Sequence, residues 1–109
     1  YDDAVTACHR VLALDPTIPE AHVNLGFALY ETGQHAAAQR FFEAATRLNK
    51  DQLNAYYGLA LSARAQGANA VAAGAMRTWL HLAPPDDPFR GRAEALFDAA
   101  AADLQPARP

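Results

Sequence analysis

The chain repeats itself every 34 residues, and the positions that recur hold the small and apolar residues that stacked helical hairpins need. Ala4, Ala38 and Ala72 form one series, Cys8, Phe42 and Met76 a second, and Leu14, Leu48 and Leu82 a third. Leu25 with Leu59, and Gly33 with Gly67, extend the pattern. A fixed period of this length marks a helical repeat array, in which no unit buries its apolar face alone and each packs on its neighbours. The fold predicted is all-α, a right-handed α-α superhelix of six helices arranged as antiparallel hairpins, and its default use is as a binding scaffold.

Composition narrows the alternatives. At 109 residues the chain makes one domain with a continuous core. Alanine fills about a quarter of all positions and β-branched residues nowhere alternate with polar ones, so strands have no support. The net charge of -3, with no cluster of Lys or Arg, lacks the positive footprint of phosphate-backbone binding and argues against a nucleic-acid partner. No apolar run approaches the roughly 20 residues that cross a bilayer, so membrane insertion is not expected. A single cysteine rules out an internal disulfide and fits either a cytoplasmic or a periplasmic protein. Eight Arg against one Lys, beside so much Ala, points to a bacterial genome rich in G and C.

Stop signals divide the chain. A first helix runs from Asp2, with Asp2 and Asp3 in the first turn where carboxylates suit the helix dipole, to Leu14 before Asp15-Pro16. A second runs from about Pro19 or Glu20 to Thr32 and is stopped by Gly33; a third runs from His35 to Leu48 and forms a hairpin with it. The fourth, Gln52 to Gln66, stops at Gly67, and the fifth, Asn69 to Leu82, ends at Ala83-Pro84-Pro85. The sixth is predicted to have Asp87 as N-cap and Pro88 at its first position, with Phe89, Ala93, Leu96, Phe97, Ala100 and Leu104 on its packing face. It caps the array, and residues 105–109 are expected to fray.

These residues resemble the tetratricopeptide repeat family over nearly the whole chain. His22, Leu25, Gly26 and Leu29, followed by Ala38 and Phe42, match its pattern in one unit; Tyr56, Leu59, Ala60 and Ala63, followed by Ala72, Met76 and Pro84, match it in the next. The resemblance implies a second helix of a truncated repeat at 1–16, complete repeats at 19–50 and 53–84, and a capping helix at 87–104. His22 stands where a large apolar ring is usual, Lys50 where Pro is usual, and Trp79 where a small residue is usual. Trp79 is therefore expected to pack against the capping helix.

In this family function resides on the concave face, lined by the first helix of each hairpin. The register then assigns Glu20, Val23, Asn24, Phe27, Tyr30 and Glu31 of one repeat to a groove, with Asn54, Tyr57, Gly58, Leu61 and Arg64 of the next. Val23, Phe27, Tyr57 and Leu61 make an apolar strip suited to a protein or peptide segment, and Asn24 and Asn54 can hold its backbone. Some family members clamp a partner's terminal carboxylate with Lys, Asn and Arg. Here Asn24 takes the Asn place, but Asn54 and Gly58 stand where cations are needed, so the tails of heat-shock chaperones are not expected ligands.

Catalysis finds no support in the sequence. His9, His22 and His35 are evenly spaced but fall on three different helices, so convergence on one metal is not expected, and no cofactor is implied. His22 reads as a packed substitute for an aromatic ring, His9 and His81 as surface residues, and Cys8 as a small core hydrophobe in the Phe42 series. No phosphate loop or nucleophile motif is present. Two functional readings follow. One is a protein-binding adaptor. The other is a structural segment of a longer solenoid or a multidomain enzyme, self-associating as a homodimer through the first helix, whose Ala4, Cys8, Val11 and Leu12 have no hairpin partner of their own.

Overall fold

The computed structural model describes residues 2–104, leaving aside the side chains of residues 2–5, Cys8 and Leu14. Six helices and no strand occur among the described residues: α1 (Asp2–Leu14), α2 (Pro19–Glu31), α3 (His35–Leu48), α4 (Leu53–Ala65), α5 (Asn69–Leu82) and α6 (Arg90–Leu104). Each packs on the next, and α2 also meets α4 as α4 meets α6, which stacks the hairpins into a helical solenoid of 53 × 30 × 21 Å. The core roles expected of Ala4, Cys8 and Leu14, and the fraying of 105–109, lie outside the described residues.

The turns explain the period. Gly33 and Gly67 end α2 and α4 at φ of 81° and 77°, a conformation that costs other residues a steric clash at Cβ. Around them Gln34 N–H reaches the Leu29 carbonyl and Ala68 N–H the Ala63 carbonyl, at 2.9 and 2.8 Å, satisfying carbonyls that the helix end would otherwise strand. Between hairpins a side chain takes over. The Asp15 carboxylate accepts the Thr17 N–H at 2.9 Å, and one period later the Asn49 side-chain oxygen Oδ1 accepts the Asp51 N–H at 3.0 Å. Hydrogen bonds from the Thr17 hydroxyl and N–H hold the Asp15 carboxyl below its ordinary 3.8. The Asn49 turn shows how α4 starts cleanly with Lys50 in place of the usual Pro.

The sixth helix begins two residues later than its Asp-Pro signal predicts. Asp87 accepts the Phe89 N–H at 2.8 Å and its carbonyl accepts the Arg90 N–H at 3.1 Å, closing a separate turn before the helical ladder opens with Ala93 N–H to Phe89 O. Phe89 thus leaves the packing face of α6 and is half exposed, as is Leu104 at the other end. Ala93 and Ala100 are fully buried. Ala93 continues the Leu25 and Leu59 series, so α6 stands where the first helix of a third hairpin would stand.

One core contact ties the hairpins together. The Phe42 ring is fully buried and lies against Gly26 of α2 and Gly58 of α4; a Cβ built on Gly26 would sit 2.8 Å from the ring, and one on Gly58 would sit closer still. The two glycines let both helices close on one aromatic ring. Phe42→Ala is expected to cost about 3–5 kcal/mol of unfolding free energy in denaturant titrations. Gly58→Ala is expected to destabilise as well, by about 1–3 kcal/mol, despite the better helix propensity of Ala, because its methyl group meets the ring. A stabilised Gly58→Ala variant would overturn this packing argument.

Candidate functional site

The groove residues expected from register do not stay together. Val23 is buried in the core at 4% exposure, and Gly58 is buried under Phe42. The cause is the closeness of the first helices: α2 is covered by α1 on one side and α4 on the other, which leaves Val23 no open surface. Tyr30 lies 4.9 Å from the His35 ring of its own hairpin, tilted 56° to it. Glu20 and Asn24 line a small cleft of about 250 Å³ with Ala7, Val11 and Ile18, where α1 meets α2.

Phe27, Asn54, Tyr57 and Leu61 converge. They line an open cleft of about 400 Å³ whose remaining wall is Leu53, Trp79, Asp87 and Phe89. Helical spacing explains the α4 contribution, since Leu53, Tyr57 and Leu61 recur every four residues on one face. Phe27 is braced from behind by Phe42, edge to face at 4.8 Å and 74°. Tyr57 stands between two other rings, 6.1 Å from Trp79 and 6.3 Å from Phe89, inclined 64° to each. The polar groups are few: the exposed Asn54 amide and the Asp87 carboxylate. A set of rigid aromatic walls with two polar handles can bind and orient, and it contains no nucleophile and base pair.

Sequence reasoning missed half of this wall. Trp79 stood out as a large residue in a small place, and it does share a buried core with Ala93 of α6, yet it also floors the cleft. Phe89 and Asp87 were hidden by reading Asp-Pro-Phe as the start of a helix instead of a turn in front of one. Pro88 was the available signal, because a proline between an Asx residue and an aromatic also suits a turn.

The histidines are spread over separate contacts. His22 Nε2 donates to the Pro16 carbonyl at 2.8 Å, and its ring lies 6.0 Å from Phe41, which also receives the edge of His9 at 6.2 Å. Among the described residues no group of three or more His, Cys, Asp or Glu is placed to hold a metal ion, and no helix is long and apolar enough to cross a membrane.

Arg64 leaves the groove for a structural role. Its guanidinium donates to Asn69 at 2.7 Å and to Asp103 at 2.6 Å, joining the ends of α4, α5 and α6. Both partners reach solvent, so the coupling is small. A double-mutant cycle with Arg64→Gln and Asp103→Asn is expected to give under about 1 kcal/mol in thermal melts, shrinking as salt rises; a salt-independent value above that would overturn the assignment.

The family model for the tetratricopeptide repeat matches residues 1–66, which spans α1 to α4 and the turns that set the period. No curated protein matches the chain. With the match covering more than half the chain, and the helical hairpins stacked as the repeat requires, this protein belongs to the tetratricopeptide repeat family.

Proposed function

We propose that this chain is a protein-interaction scaffold that binds a peptide or protein segment in the cleft between α2, α4 and the turn before α6. Tetratricopeptide repeats generally mediate protein–protein interaction, and the family is typically a non-enzymatic scaffold. The single observation that supports the cleft is the meeting of Phe27 with Asn54, Tyr57 and Leu61 on one open apolar surface. Half-exposed aromatic groups around a concavity are the usual anchors of an interface. The Asn54 amide can both donate to and accept from an extended backbone. Residues 19–50 and 53–84 act as the two complete repeats in this reading, and α6 serves as the cap that supplies the outer lip.

The test begins with peptides selected on the wild-type chain. The pair Phe27→Ala and Tyr57→Ala is expected to weaken them at least about tenfold, with circular dichroism confirming retained helix. Unchanged affinity would place the binding surface elsewhere.

A second reading has its own observation. The α1–α2 cleft is apolar, and Val11 beside it is 41% exposed, an arrangement that suits a second copy of the chain packing through α1. The homodimer is expected to appear in light scattering as a mass that doubles with concentration and to be abolished by Val11→Lys. A monomer over the whole concentration range would reject it.

A further inference from the structure

Resting on the cleft reading, we propose that its occupant is a basic side chain of the bound segment, arginine in first place, held against the cleft-facing sides of Tyr57 and Phe89 with Asp87 as counter-charge. Three observations lead there. Tyr57, Trp79 and Phe89 form an inclined corner of rings, and the face of an aromatic ring carries the negative potential that attracts cations. Asp87 is the one ionised group in the cleft wall, and no Lys or Arg lines it. One Asp87 oxygen accepts the Phe89 N–H, while the other has no hydrogen bond among the described residues.

The chain already uses the same chemistry internally. The Arg92 guanidinium carbon lies 5.6 Å from the Phe89 centroid, and that of Arg77 lies 5.8 Å from Phe97. Of the neighbouring cations, Arg92 covers one face of the Phe89 ring and leaves the other to a ligand, while Arg90 donates to the Leu80 and Ala83 carbonyls at 3.1 and 3.2 Å and Arg64 is held by Asp103. Neither Arg90 nor Arg64 is bonded to Asp87. A purely apolar anchor would bury part of the Asp87 carboxylate without a partner, which costs free energy, whereas a cation with an aliphatic stem satisfies the rings, the carboxylate and Leu53 together. Arginine fits better than lysine, since its planar, weakly hydrated group stacks on rings and forks a carboxylate.

Trp79 is the chain's single tryptophan and floors the cleft, so its emission reports occupancy directly. The probes are blocked tripeptides, Leu-Xaa-Leu with a capped amine and an amidated end, where Xaa is Arg, citrulline or Leu. Citrulline keeps the shape of arginine and removes its charge. The Arg peptide is expected to bind about five- to tenfold more tightly than the citrulline peptide. Asp87→Asn is expected to bring the two within about twofold, since Asn can still accept the Phe89 N–H and the change removes only charge. Phe89→Leu, which keeps an apolar lip without a ring face, is expected to reduce the preference as well. Citrulline or Leu binding as well as Arg would overturn the inference and leave the cleft reading standing. Peptides that leave Trp79 emission unchanged at every concentration would overturn both.

Discussion

The solenoid depends on one ring between two glycines. Phe42 reaches from α3 into the seam between α2 and α4, and both helices have given up a side chain at the point of contact, Gly26 on one side and Gly58 on the other. The arrangement lets the first helices of consecutive hairpins both close on the same ring, which a Cβ on either glycine would hinder. Its effect reaches the candidate site. Phe27 follows Gly26 and is braced against the edge of Phe42, while Tyr57 precedes Gly58 and is carried to the opposite wall of the cleft. The groove is therefore shaped from behind, by a residue that takes no part in it.

The next interface solves the same problem with different volumes. Met76 takes the place of Phe42 and is fully buried, a flexible side chain in place of a rigid ring. Trp79 stands where the preceding repeat has the fully buried Ala45, and Ala93 stands where it has Leu59. The bulk has moved from the first helix to the second, so the total is kept while its distribution changes. The entry of α6 departs from the repeat. Arg90 ties that entry to the carbonyls at the end of α5, and the turn before it swings Phe89 out to the lip of the cleft.

The two ends of the array differ in how their faces are used. At the α6 end a small buried cluster of Ala63, Ala72, Ala73 and Ala100 packs against Ala68 and Phe97, and Arg64 closes the corner on Asp103. At the α1 end, α1 packs on α2 with the His9 ring 6.2 Å from that of Phe41, and Val11 is exposed.

Much of the architecture was legible in the sequence for a simple reason: helix ends, turn residues and buried small residues are set by local geometry and repeat with the period. Gly33 and Gly67 fit the ends of helices because few other residues adopt a positive φ, and Ala38, Ala72 and Phe42 fit the inside because small and apolar residues recur there at the period of a stacked helical hairpin. The site was only half legible. Helical spacing brought Tyr57 and Leu61 to one face and matched Phe27 to them one repeat earlier, which required no knowledge of distances. Register alone also put Val23 and Gly58 on that face, and there it failed, since a residue's position on a helix says which direction it points and not how near the neighbouring helix has come. Burial of Val23, the turn that exposes Phe89, the pairing of Arg64 with Asp103 and the presence of Asp87 beside Tyr57 were decided by tertiary structure, because each depends on how closely separate elements approach one another.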